Sequence, residues 1–149
     1  MSVVFLDSGP LGMVSNPKSR PENDECRLWL VGLIATGTRV VIPEIADYEV
    51  RRELVRASKA QGIDRLDLLK RSLDYLPITT EAMLLAADLW GNIRRAGLTT
   101  AADHSLDGDV ILAAQALTSG FAVTDIVVST TNVGHLSRLV RATHWRETV

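Results

Sequence analysis

Two stretches of this chain, Val3-Val4-Phe5-Leu6 and Val40-Val41-Ile42, are unbroken apolar runs, and a third, β-branched run extends from Phe121 to Thr131. A strand that shows one face to water alternates apolar with polar residues. An unbroken run is apolar on both faces and belongs in a sheet covered on both sides. Stretches of helical length separate the runs. Strands alternating with helices in this way imply an α/β fold, three-layer α/β/α, around a central and mostly parallel sheet. With 149 residues, 46% of them hydrophobic, the chain has the length and the apolar content of one such domain, residues 1–149. No repeat, linker or low-complexity tract divides it.

Punctuation along the chain gives the element boundaries. Ser2 to Leu6 reads as a buried strand with Ser8-Gly9-Pro10 as the breaker behind it. Asp24 to Ala35 has helical length and an acidic start that suits the helix dipole. Pro43 suits the first turn of a helix that reaches about Lys59, with Gly62 soon after. Asp64 to Tyr75 is helical, with Leu66, Leu69 and Leu73 on one face, and Leu76-Pro77-Ile78 is a short strand or extended link. Thr79-Thr80-Glu81 opens a helix that places Met83, Ala86, Ala87 and Trp90 together and ends at Gly97. Asp107 stands where it caps a helix from Gly108 to Leu117, closed by Gly120. Asp125 marks a bend or an end in the last strand region, and Val133 to Val140 reads as a short final helix.

Bulk properties exclude several function classes. Sixteen basic and eighteen acidic residues leave a formal net charge of -2, so no whole-surface attraction to nucleic acid is expected, although a local basic strip is allowed. A single cysteine, Cys26, excludes an internal disulfide, matches no zinc spacing and reads as a small core residue. No apolar run approaches the roughly 18 residues that a membrane span needs. No leader-like segment opens the chain, which reads as soluble and cytoplasmic.

The polar residues at the ends of these elements carry the chemistry. Asp7 follows the first strand and Asn132 follows the last. Asp109 falls in the first turn of its helix, and Glu49 lies about two turns into the helix after Pro43. In an open α/β sheet, ligands bind at the carboxyl ends of the strands, where loops and helix N-termini gather. A helical wheel puts Glu49 within about 40° of Ile45, so it can face inward; Glu44 and Glu53 are its rivals on that helix. Each residue also has an ordinary reading. Asp7 is a turn former, Asp107 a cap, Asp109 a dipole partner, and Glu49 an ion-pair partner of Arg52 or Arg56. Those readings leave the conjunction unexplained. Carboxylates gathered at one sheet edge repel one another unless a cation sits among them, and an oxygen-only set suits a hard metal ion.

Taken in order, four segments resemble the PIN domain: Val3-Val4-Phe5-Leu6-Asp7-Ser8, the Ile42-Pro43 helix that carries Glu49, Asp109-Val-Ile-Leu-Ala-Ala-Gln-Ala116, and Thr130-Thr131-Asn132-Val-Gly-His-Leu136. More narrowly they resemble the VapC-type toxin ribonucleases of bacterial toxin–antitoxin pairs. The resemblance covers essentially the whole chain, and its specificity lies in the ordered set rather than in any one motif. It implies a Mg2+- or Mn2+-dependent endoribonuclease acting on RNA, a homodimer, and a small antitoxin protein that blocks the site. By position it assigns Asp7, Glu49 and Asp109 as the three acids of a catalytic and metal-binding set. Asn132 takes the fourth catalytic place, which the family fills with Asp or Asn. Ser8, Asp107 and Thr130 are auxiliary candidates. Two departures stand out. Ser8-Gly9-Pro10 replaces the more usual hydroxyl-rich pair, and Asn132 leaves three carboxylates, which weakens any second metal.

A substrate strand needs cations at its phosphates. Arg51 and Arg52, beside Arg56 on the helix of Glu49, and Arg138, after the Asn132 loop, are the candidates. His135 reads as structural, Trp29 and Trp90 read as core, and Trp145 is left open. The apolar helices Asp24–Ala35 and Asp64–Leu73 are candidate faces for a second copy or an antitoxin. Two other readings stand beside the toxin: a free-standing PIN-fold nuclease acting on DNA or structured RNA, and a catalytically silent PIN-like protein-binding module. A nucleotide binder lacks support, because no Gly-rich phosphate loop follows any strand.

Overall fold

β1 (Val3–Leu6) is buried along its whole length, as an unbroken apolar run requires. In the computed structural model, which describes residues 1–97 and 103–149, β1 pairs with β2 (Arg39–Pro43) on one side and β4 (Ile126–Thr130) on the other. Val4 stands level with Val40 and Val127. The short strands β3 (Asp74–Leu76) and β5 (Ala142–His144) form the edges, giving the order β3-β2-β1-β4-β5. Every pairing is parallel, so the sheet is wholly rather than mostly parallel.

Alternation along the strands builds two cores. On one face, Val4, Leu6, Val40, Ile42 and Val127 pack with Leu11, Cys26, Leu30, Leu66 and Trp145. That face is covered by α1 (Ser8–Ser15), α2 (Pro21–Ala35) and α4 (Ala60–Ser72). On the other, Val3, Phe5, Val41, Ile126 and Val128 pack with Leu112, Ala113, Ala116 and Leu136, which come from α6 (Asp103–Leu117) and α7 (Val133–Leu136). α5 (Thr80–Ala96) lies outside α6, joined through Ala82, Ala86 and Ile93 to Leu106, Val110 and Ala114. α3 (Glu44–Arg56) spans both cores, with Ile45 in one and Val50 in the other. This is the expected three-layer α/β/α arrangement.

Several local expectations are corrected. Ser8-Gly9-Pro10 does not break the chain but forms the first turn of α1, where Pro10 needs no intrahelical N–H bond. Asp7 caps that turn by accepting from the Ser8 backbone N–H at 2.7 Å. Pro43 closes β2 and precedes α3 instead of entering it. α3 stops at Arg56, and Ser58, at φ 54°, turns the chain into α4, which starts at Ala60 and ends at Ser72. Tyr75 therefore lies in a strand, held there by a 2.8 Å hydrogen bond from its hydroxyl to buried Asp47. Asp107 caps nothing, because α6 already starts at Asp103. The final helix makes a single turn before β5, a half-buried strand of three residues with too little periodicity to read.

Other expectations hold. Thr79 caps α5 by accepting from the Ala82 N–H at 3.0 Å, and Gly97 ends it in the left-handed conformation. Cys26 is buried, and that burial pushes its thiol up to about 12, as suits an inert core residue. Trp145, left open by the sequence, is core, edge-on to Trp29 with ring centroids 5.8 Å apart. Among the described residues no helix is long and apolar enough to cross a membrane.

Candidate metal centre

The chain leaves β1 for β2 on one side and later returns to β4 on the other. Such a reversal opens a crevice between the carboxyl ends of β1 and β4, the usual ligand position in sheets of this kind. Asp7 emerges from one of those ends, and Thr130 and Asn132 from the other.

Asp7 is fixed from both sides. Its Oδ1 accepts from the Ser8 N–H at 2.7 Å, and its Oδ2 accepts from the Thr130 hydroxyl at 2.7 Å. The same Thr130 Oγ1 accepts from the Asn132 N–H at 3.1 Å, so one buried hydroxyl ties both strand ends together. Gly9 permits the close approach, since a Cβ there would stand 2.7 Å from Thr131 Oγ1.

Glu49 enters the crevice from α3. Its carboxylate lies against the α6 backbone at Gly108, where a Cβ would come within 2.7 Å of Oε2. Asp109 is the next residue on that helix. Burial, then the charge of Asp7 and more weakly that of Asp109, push Glu49 up to about 7, with Arg52 opposing. Burial and Asp7 together push Asp109 up to about 6, with His135 on α7 opposing. Glu49 thus feels the field of both Asp7 and Asp109, and Asp109 that of Asp7.

Among the described residues no three His, Cys, Asp or Glu side chains form a ready-made metal cage. Asp7, Glu49 and Asp109 are each only half-buried and interact through space without closing on one point. An open oxygen-lined site is what a hard cation such as Mg2+ uses, since it takes one or two carboxylates directly and keeps several waters. A cation there also offsets the burial and the neighbouring negative charge that raise Glu49 and Asp109. The residues present fit such an ion.

The other candidates sort clearly. Ser8 lies in the first turn of α1 and, with Glu49, at one end of a groove of about 880 Å³. Asn132 is exposed at the mouth of the crevice. Asp107 is also exposed and is not among the charges acting on Glu49 or Asp109. Arg51, the first of the candidate phosphate contacts, has its guanidinium held between Asp47 at 3.0 Å and Asp67 at 2.9 Å. Arg52 is exposed, lies over the Tyr48 ring and lines the groove, and Arg138 is exposed after α7. The rivals of Glu49 have structural roles. Glu44 accepts from the Ile78 N–H at 2.8 Å, and Glu53 pairs with Arg56 at 2.8 Å.

Two supporting residues escaped the sequence reading. Gly108 admits the Glu49 carboxylate. Gln115, buried on α6, accepts from the Ile45 N–H at 3.0 Å and donates to the Leu76 carbonyl at 2.8 Å, fixing the start of α3 against α6. A lone amide within Ala113-Ala114-Gln115-Ala116 was the available signal.

A family model described as PIN domain matches residues 4–134. Comparison with curated proteins gives no match. Among solved structures the chain is similar to VapBC2 from Rickettsia felis bound to a DNA fragment from its promoter, with TM-score 0.72 and 16% identity over 96% of this chain and 98% of that one. It is similar to VapBC-1 from nontypeable Haemophilus influenzae, with TM-score 0.66 and 17% identity over 97% and 99%. DNA-bound VapBC from Salmonella typhimurium gives TM-score 0.61 and 19% identity over 97% and 99%. At these identities the likeness is one of fold.

Proposed function

The chain belongs to the PIN domain family, and from that premise we propose that it is a metal-dependent endoribonuclease, the toxin of a toxin–antitoxin pair. The observation that carries this reading is the gathering of three acids at the carboxyl edge of the sheet: Asp7, held by the Ser8 N–H and the Thr130 hydroxyl, and Glu49, packed on the α6 backbone at Gly108 beside Asp109. Fold likeness to VapBC assemblies supports a small antitoxin protein as partner. A homodimer belongs to the same reading.

Asp7 and Asp109 would hold Mg2+ or Mn2+, with Glu49 reaching it through water. When bound, such an ion supplies a water of lowered pKa and neutralises charge on the phosphodiester oxygens. The chain's own groups do the positioning. Thr130 and the Ser8 N–H fix the two oxygens of Asp7, so the carboxylate meets its ligand without reorganising. Glu49, ionised once a cation offsets the charges around it, would take the proton of the attacking water. Ser8 and Asn132 sit at the mouth, where a hydroxyl and an amide can orient phosphate oxygens, and Arg52 supplies positive charge beside them.

Incubation with single-stranded RNA, tRNA and flap DNA, in Mg2+ or Mn2+, tests the reading. Cleavage of RNA and not of DNA is expected. Cleavage of flap DNA alone would make the chain a DNA nuclease, and cleavage of none would favour the silent binding module.

A further inference from the structure

From the acid crevice a groove of about 880 Å³ runs between α1 and α3 to the corner where α3 meets α4. Ser8, Gly9 and Glu49 stand at its near end, and Lys18, Arg20 and Lys59 line its far part. Gly12, Val50 and Leu54 give it an apolar lining. Leu54 is seated on the backbone of Gly62, where a Cβ would approach within 2.8 Å, so the corner is tightly closed beneath the groove.

The charge of this groove runs against that of the whole protein. In a chain of formal net charge -2, its lining carries Lys18, Arg20, Arg52, Arg56 and Lys59 against only Glu49 and Glu53. Glu53 is paired with Arg56. Among the described residues, Lys18, Arg20, Arg52 and Lys59 take part in no ion pair. Cations that outnumber the acids along one groove repel one another, and a polyanion relieves that repulsion. An apolar lining between them suits unpaired bases, which a single strand exposes and a duplex stacks away.

We propose that this groove seats a single strand of RNA and leads it to the acid crevice, with phosphates on Lys18, Arg20, Arg52 and Lys59 and bases against the apolar lining. The proposal rests on the nuclease reading above. A volume of about 880 Å³ lies within the roughly 300–1,000 Å³ of sites that bury most of a drug-sized ligand, enough for a short stretch of strand. RNA is favoured over a protein segment because Glu49, one of the acids at which a phosphodiester bond would be cut, stands at the near end.

Fluorescence anisotropy of a labelled single-stranded RNA oligonucleotide tests it, titrating Asp7→Asn protein in Mg2+ across a range of salt concentrations. Adding Lys18→Ala, Arg20→Ala and Lys59→Ala is expected to weaken binding about tenfold or more. The slope of log K against log salt should fall by about 2, since each lost phosphate contact removes roughly 0.7. In the cleavage-competent background the triple variant should raise KM and keep kcat. Arg65→Ala with Arg71→Ala, exposed on α4 outside the groove, should change neither quantity. Melting curves matched to the parent exclude misfolding as the cause. If the wild type cleaves RNA while the triple variant binds with unchanged affinity and slope, the groove proposal alone is overturned, and the groove is left to a protein such as an antitoxin segment. If RNA is neither bound by Asp7→Asn nor cleaved by the wild type, the nuclease reading falls with it.

Discussion

Replacing Glu49 by Gln in metal-free protein should make the fold more stable, and chiefly at neutral to alkaline pH. Burial and the charges of Asp7 and Asp109 raise Glu49 from 4.5 to about 7, so the folded state favours the protonated acid more than the unfolded state does. Below pH 4.5 both states hold the proton and nothing is lost. The penalty grows as pH rises past 4.5 and is complete above about 7. At about 1.4 kcal/mol per pKa unit the full shift corresponds to about 3 kcal/mol. Water in the open crevice screens the charge, which leaves roughly 1–2 kcal/mol. Glutamine keeps the shape and cannot ionise, so it recovers that amount and raises Tm by about 2–8 °C for a chain of this size. At pH 5 the gain should shrink to about half of that screened value. Circular-dichroism melts in EDTA at pH 8 and pH 5 read both values. Saturating Mg2+ should stabilise the wild type more than the variant, because the ion neutralises a charge that only the wild type carries. A loss of stability at pH 8, or the same gain at both pH values, would refute the view that Glu49 sits in a repulsive carboxylate cluster.

Three further substitutions probe the supports of the site. Gly108→Ala puts a Cβ into the space of Glu49 Oε2; cleavage should slow about tenfold or more, while urea unfolding shows stability unchanged or raised, since alanine favours a helix by about 1 kcal/mol. Gln115→Leu strands the Ile45 N–H and the Leu76 carbonyl; urea unfolding should show a loss of about 2–4 kcal/mol. Arg51→Met should leave RNA affinity unchanged in anisotropy titrations, yet destabilise the protein by about 1–3 kcal/mol in the same unfolding assay, because buried Asp47 loses its cation.

The fold was legible where chemistry is repetitive. β1, β2 and β4 are apolar on both faces because both faces are covered, and that pattern needs no tertiary knowledge. α5 was readable from its caps, since Thr79 and Gly97 act through their own local backbone. The misreadings came where long-range contacts decide. Ser8-Gly9-Pro10 looks like a turn, yet Asp7 in front of it and the packing of Leu11 and Val14 behind it make it a helix start. β3 and β5 are three residues each, drawn into the sheet by neighbouring strands rather than by their own composition.

The candidate site divides in the same way. Asp7 and Asn132 follow from their places at strand ends, and Glu49 from its angle on a helix. The sequence could not show that Thr130 bonds Asp7 across 123 positions, nor that Gly108 makes room for Glu49, because both depend on the approach of separate elements. The ion pairs of Arg51 are only half legible for a related reason. Its neighbours on the helix wheel are visible in sequence, but Asp67, which engages it from α4, is not.

The central claim is that Asp7 and its neighbouring acids form one cation site that hydrolyses RNA. The most direct measurement is the initial cleavage rate of a labelled RNA during a Mg2+ titration, for wild type, Asp7→Asn and Asp109→Asn. The wild-type rate should rise to saturation with Mg2+, vanish in EDTA and return with Mn2+. Both variants should lose about a thousandfold or more. EDTA-insensitive cleavage, or a purified Asp7→Asn protein that cuts at the wild-type rate, would contradict it.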